Sequence, residues 1–165
     1  MAREKSITKR VLNYIFTRSK QPVLLKDLLV ATKQYNQGME VDAGRLGFRL
    51  KLSRAYIVYI ILVCLVLIPI SLLTHTALAK IDSHISIVGG MVITALIFMG
   101  FNFFKDKVVE LMTKEVITRA WSLHFPYFAF EEYSKKFVKI FDQAMKEEVS
   151  KRDLQKYILE KISSI

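Results

Sequence analysis

The chain has 165 residues, of which 52% are hydrophobic, and its mean hydropathy is +0.28. This composition argues against an ordinary soluble domain and favours membrane-spanning segments. The formal net charge is +10, which is typical of proteins that contact nucleic acid or an anionic membrane surface. A single cysteine, Cys64, excludes an internal disulfide.

The amino-terminal arm, residues 1–54, is strongly basic, with 12 Lys and Arg against 4 Asp and Glu. Residues 7–17 predict a short amphipathic helix, because four apolar side chains share one helical face: Ile7, Val11, Tyr14 and Ile15. Such a helix lies on the inner leaflet or packs against the rest of the cytoplasmic region. We favour packing, because Arg18 falls on the apolar side at its end.

A second helix is predicted over residues 22–37, with Pro22 at its first position and Gly38 as its stop. The stretch 45–54 is ambiguous, because its leucines and Phe48 alternate with polar or small residues while two arginines lie one helical turn apart. We expect 45–54 to be a helical lead into the first span.

Two uncharged apolar segments follow, at residues 55–79 and 85–104, joined by a connector at 80–84. A bilayer core of about 30 Å needs roughly 20 helical residues, which both segments provide. Lys and Arg residues precede the first span and follow the second. The positive-inside rule therefore places both of these flanks in the cytoplasm. We expect six cations to contact lipid headgroups: Arg45, Arg49, Lys51, Arg54, Lys105 and Lys107.

The second span carries a face of small residues. Ser86, Gly90 and Thr94 recur every four positions, and Gly89 lies beside them. This spacing permits close helix–helix approach, either to the first span or to another protein.

The carboxy-terminal arm, residues 105–165, contains no helix breaker before Pro126. We therefore predict one continuous helix from Ile85 to about His124, half of which would project beyond the bilayer as a stalk. Glutamates precede basic residues by four at Glu110–Lys114 and Glu115–Arg119, which favours helical ion pairs on an exposed face.

An aromatic-rich stretch surrounds Pro126. Its rings form the core of a small cytoplasmic helical region, an inner-leaflet belt, or a docking surface for a partner. The residues concerned are Trp121, Phe125, Phe128, Phe130, Tyr133, Phe137 and Phe141. A last helix is predicted from Ser150, where Ser150 and Asp153 resemble a capping box.

Catalytic chemistry has little support in this sequence. Metal-ligand spacing, phosphate-binding loops and nucleophile motifs are missing, and His124 with Glu131 is the one thin candidate for a lipid-directed enzyme. We therefore expect no enzyme activity, cofactor or metal. The cations are interleaved with leucines beside a span, which favours lipid or a membrane partner over nucleic acid.

The expected fold is an all-α membrane protein, a two-span helical hairpin in the cytoplasmic (inner) membrane with both termini in the cytoplasm. The expected function is that of an accessory subunit, scaffold or assembly chaperone of a larger secretion, motility, respiratory or transport complex. It would act as a homo-oligomer or within a hetero-complex. In the order of its elements the chain resembles bacterial two-span effectors of the SLATT kind, which implies an oligomeric, membrane-perturbing pore as the alternative.

Overall fold

The computed structural model describes residues 2–78 and 83–163. Most of these residues are helical. The elements in chain order are α1 (Ala2–Ile15), β1 (Phe16–Arg18), α2 (Leu25–Asn36), β2 (Phe48–Leu50), α3 (Leu52–Leu78), α4 (Ser83–His124), α5 (Phe130–Lys146) and α6 (Leu154–Ser163). Most of the predicted connector at 80–84 lies outside the described residues.

The chain divides into two compact units. The first, which we call the hairpin unit, consists of Met1–Thr17 and Leu50–Glu110 and contains α1, α3 and the apolar part of α4. The second, which we call the aromatic unit, consists of Arg18–Arg49 and Leu111–Ile165. The second half of the basic arm thus belongs to the same unit as the carboxy-terminal arm.

The helical lead predicted for residues 45–54 is wrong over residues 45–51. Residues Phe48–Leu50 form β2, which pairs with β1 in a two-stranded sheet, and α3 begins only at Leu52. The physical reason is the alternation itself, since Leu46 and Phe48 are buried while Arg49 is exposed. Gly47, with φ of +70°, makes the turn before the strand.

The second helix begins later than predicted. Pro22 does not occupy its first position, because α2 starts at Leu25 and the preceding Leu24 is extended, with φ of −68° and ψ of 145°. The predicted stop is confirmed at Gly38, which has φ of +67°, and Met39 N donates to Gln34 O over 2.9 Å.

Two helices are long and apolar enough to cross a membrane, over Leu52–Leu73 and Ile87–His124. The continuous helix predicted from Ile85 to about His124 is confirmed, because α4 runs unbroken from Ser83 to His124 over 42 residues. In the most apolar 18-residue window of α3, 0% of the residues are buried. In the corresponding window of α4, 6% of the residues are buried. Most of these apolar side chains are therefore exposed in the described part of the chain.

Candidate functional site

At the base of the hairpin unit, α1 packs on α3. Leu12, Ile15 and Ala55 are buried there. The Arg54 guanidinium lies 5.0 Å from the centre of the Tyr14 ring and donates to Tyr14 O over 3.1 Å. Arg54, one of the cations predicted to contact headgroups, thus also fixes α1 against the start of α3.

The other predicted headgroup cations are held by local acids or remain on the surface. Arg45 pairs with Asp42 at 3.6 Å, Lys105 with Asp106 at 3.5 Å and Lys107 with Glu110 at 2.8 Å. Arg49 is exposed and Lys51 half-buried. Ion pairs this exposed contribute little to stability.

The two spans approach each other at Gly100 rather than at Gly89 or Gly90, within the residues that the structure describes. A Cβ on Gly100 would meet the Tyr59 hydroxyl, while a Cβ on Gly89 or Gly90 would meet nothing within 4 Å. The Tyr59 hydroxyl donates to Ile97 O over 2.7 Å. Thr94 is exposed and its hydroxyl bonds to Gly90 O of its own helix, and the Ser86 side chain lies outside the described residues.

The aromatic residues form the core of the aromatic unit. Five of the seven predicted rings are buried, whereas Phe128 and Tyr133 are half-buried: the buried ones are Trp121, Phe125, Phe130, Phe137 and Phe141. Phe137 lies 5.0 Å from Trp121 and 4.6 Å from Phe125 between ring centres. Trp121 Nε1 donates to Phe128 O over 2.8 Å, which fixes the turn around Pro126. These rings pack on one another rather than forming an open surface.

Polar contacts join the separate segments of the aromatic unit. Lys33 on α2 pairs with Asp142 on α5 at 2.7 Å. Arg18 Nη2 donates to Glu115 Oε1 over 3.0 Å. The predicted helical pair of Glu115 with Arg119 is therefore replaced by a long-range one, and Glu110 pairs with Lys107 rather than with Lys114.

His124, one of the two residues considered for catalysis, forms a hydrogen bond to the backbone of the loop that precedes α2. Its Nε2 lies 2.9 Å from Val23 O, and a carbonyl can only accept, so Nε2 carries the proton.

Desolvation, with the hydrogen bond and charge of Glu147, raises the pKa of Tyr157. The Tyr157 hydroxyl stays protonated and donates to Glu147. Within residues 2–78 and 83–163, no group of three His, Cys, Asp or Glu side chains could hold a metal ion.

The aromatic unit carries an open groove of about 530 Å³ between the loop that follows β1 and the last turns of α4. The loop contributes residues 18–23, with Leu46 and Gly47 beside them. The helix contributes four residues: Val116, Arg119, Ala120 and Leu123. We call this feature the loop–helix groove.

The loop–helix groove combines an apolar floor with positive charge. Leu46 is buried beneath it, while Leu123 on its rim is 71% exposed. Its lining contains the cations Arg18, Lys20 and Arg119, and neither Asp nor Glu. Arg18 forms an ion pair with Glu115, and its Nε is buried without an acceptor among the described residues. Lys20 and Arg119 are exposed.

Sequence reasoning did not identify the loop–helix groove. The signals available were an apolar stripe on α4 that includes Val116, Ala120 and Leu123, and the position of Arg18 on an apolar side. Neither signal indicates that the loop at 18–23 lies against α4, because that contact joins segments nearly a hundred residues apart.

Comparison with protein-family models, with curated proteins and with solved structures finds no match to this chain.

Proposed function

We propose that this chain is a two-span membrane protein of the cytoplasmic membrane, with both termini in the cytoplasm. In this proposal it is a non-enzymatic accessory or scaffold subunit of a larger membrane complex. The observation that carries the proposal is a contrast within one chain. The apolar windows of α3 and α4 are left uncovered, whereas the aromatic unit buries its own core.

The exposure of α3 and α4 supports membrane insertion. Two other kinds of apolar helix resemble a span in composition: the core helix of a soluble protein and a cleaved signal. A core helix would be mostly buried, but the α3 window is 0% buried. A signal lies near the amino terminus, but α3 begins at Leu52. Keeping a large aliphatic side chain in water costs roughly 1.5–3 kcal/mol relative to burial, so lipid is the surrounding that suits these faces.

The orientation follows from the placement of positive charge. Lys51 and Arg54 lie at the start of α3, and Lys105 and Lys107 follow the apolar part of α4. These positions are adjacent to the membrane ends of both helices, where the positive-inside rule applies most strongly. This placement supports the proposed cytoplasmic location of both flanks.

An anchoring role for the spans is supported by their composition. From Ala55 to Leu73 and from Ile87 to Phe104 neither helix contains Asp, Glu, Lys, Arg or His. Proton relays and ion pathways generally use such residues inside the membrane. The aromatic unit offers a surface for specific recognition, since its groove joins an exposed apolar side chain to the exposed cations Lys20 and Arg119.

The test is copurification from native membranes after extraction in a mild detergent. The full chain, carrying an affinity tag at its carboxy terminus, is expected to bring down a defined partner in fixed ratio. The matched control exchanges charge on an exposed helix face away from the groove, Lys135→Glu with Lys139→Glu, and should retain that partner. Recovery as a lone monomer, or ion leakage from liposomes that contain the purified chain, would contradict the proposal.

A further inference from the structure

We propose that the loop–helix groove binds an acidic amphipathic helix of a partner protein. This inference rests on the proposed function, because it names the surface and the chemistry of the partner that the subunit would engage. It is carried by the geometry of α4, by the apolar floor and by the charge of the lining residues.

The α4 wall of the groove has the spacing of a helix-binding surface. Val116, Arg119, Ala120 and Leu123 follow one another at i, i+3, i+4 and i+7. They therefore occupy one face over two turns, a length of about 10 Å at 1.5 Å per residue. Grooves of this kind accept one face of a partner helix through anchors at the same intervals.

The apolar part of the groove is open and extends beyond the groove itself. Leu123 on α4 is 71% exposed, and Leu24, which follows the loop, is 68% exposed. Leu46 and Ala120, which also line the groove, are buried. The buried aromatic rings do not offer anchor points for a partner, because they are already packed against one another.

The charge of the lining selects an acidic occupant. Lys20 belongs to the loop that lines the groove and Arg119 to the helix, and apolar side chains line the same groove. Glu115, which contacts Arg18, compensates one cation and leaves the other two exposed. An amphipathic helix with acidic residues on both sides of its apolar face matches this arrangement.

Two other occupants fit less well. A second copy of this chain carries a net charge of +10, so its approach to a cationic groove is opposed by like charge. A phospholipid gathers its negative charge in one headgroup, whereas the exposed cations of the groove come from two separate segments, the loop and α4. Both occupants are outcomes of the experiment below.

The experiment places a photoreactive benzoyl-phenylalanine in the full chain, in the cells that produce it. One variant carries it at Leu123 in the groove, and a matched control carries it at exposed Lys139 on α5. After illumination the cross-linked peptide is sequenced by mass spectrometry. We expect an adduct that is specific to Leu123 and maps to a helical segment of another protein, with apolar residues every three or four positions flanked by Asp or Glu.

A synthetic peptide of that segment then titrates the purified full chain. Lys20→Glu with Arg119→Glu should weaken binding at least about tenfold, since reversing two exposed cations replaces attraction by repulsion. Lys135→Glu with Lys139→Glu, which changes the net charge equally, should leave affinity within about twofold. Fluorescence of the single tryptophan, Trp121, reports whether each variant is folded.

Four results would overturn the inference: an adduct to phospholipid alone, an adduct to a second copy, an adduct to a segment without acidic residues, or equal adducts at Leu123 and Lys139. Binding insensitive to the Lys20 and Arg119 reversals would do the same. In any of these cases a partner that still copurifies leaves the proposed function standing, so the two failures are distinguishable.

Discussion

Arg18 and Glu115 lie 97 positions apart in the chain and form an ion pair of 3.0 Å between Nη2 and Oε1. About a quarter of each side chain is exposed, at 25% and 26%. The pair ties the start of the loop at 18–23 to α4, and it stands at the edge of the loop–helix groove.

Removing the acid of this pair should destabilise the aromatic unit. Glu115→Gln leaves the half-buried Arg18 without its partner, and we expect a loss of about 1–2 kcal/mol, between the values for exposed and fully buried pairs. Thermal unfolding in detergent, followed by Trp121 fluorescence, measures it. Glu110→Gln, which breaks the exposed pair with Lys107, is the control and should cost less than about 0.5 kcal/mol. Equal effects of the two substitutions would contradict this account.

Truncating the ring at the centre of the aromatic unit should unfold it rather than merely weaken a partner contact. Phe137 is fully buried among Trp121, Phe125 and Phe128. Phe137→Ala is expected to cost about 3–5 kcal/mol through lost burial and the cavity left behind. Tyr127→Ala, at a ring that is 92% exposed, should change the unfolding temperature little. A well-folded Phe137→Ala protein that has lost only partner binding would show that this ring is a docking residue.

Because Gly100 and Tyr59 are in contact, we expect the effect of substituting Gly100 to depend on the residue at position 59. A Cβ at Gly100 would clash with the Tyr59 hydroxyl but would lie 3.6 Å from the ring carbon that bears it. Gly100→Ala should therefore destabilise the hairpin unit in the natural chain and cost far less in a Tyr59→Phe background. Tyr59→Phe alone loses the hydrogen bond to Ile97 O, worth about 0.6–2 kcal/mol within a membrane.

Heat-induced aggregation in mild detergent measures this double-mutant cycle. Gly90→Ala provides the matched control, because a Cβ there meets nothing within 4 Å. If Gly100→Ala were equally harmful with and without the Tyr59 hydroxyl, the close approach would not be at this pair.

The turn between α5 and α6 holds a non-glycine residue in the left-handed region. Glu148 has φ of 55°, and Val149 N donates to Ala144 O over 3.0 Å, the pattern of a helix end that favours glycine. Glu148→Gly is expected to raise the free energy of unfolding by about 1 kcal/mol. The same substitution one residue earlier, Glu147→Gly, should lower it, because Glu147 has φ of −83° and accepts from the Tyr157 hydroxyl. Urea titrations of the two variants in detergent compare the signs.

Features encoded by neighbouring residues were predictable from the sequence. The unbroken helix α4 follows from a long run without breakers, and the end of α2 follows from Gly38. The aromatic side chains on α5 recur at helical intervals, and that helix runs from Phe130 to Lys146. Each of these signals lies within a few turns of the element it describes.

Features that depend on distant segments were not predictable. β2 requires pairing with β1, about thirty residues earlier, and without it the stretch at 45–54 is equally compatible with a helix. Glu115 has Arg119 one turn away, yet it pairs with Arg18, where partial burial strengthens the attraction. The loop–helix groove was not predictable for the same reason, because its two walls come from segments on either side of the hairpin sequence.

The proposed topology has two spans and both termini in the cytoplasm, and the accessibility of single cysteines distinguishes it from other topologies. In a Cys64→Ser background, single cysteines are introduced at Lys9, Asp82 and Lys156, in the amino-terminal arm, the predicted connector and the carboxy-terminal arm. A membrane-impermeant maleimide is applied to sealed right-side-out vesicles. We predict labelling at Asp82→Cys alone, with labelling at the other two only after permeabilisation. Labelling of Lys9→Cys or Lys156→Cys in sealed vesicles would rule out a cytoplasmic location for that terminus.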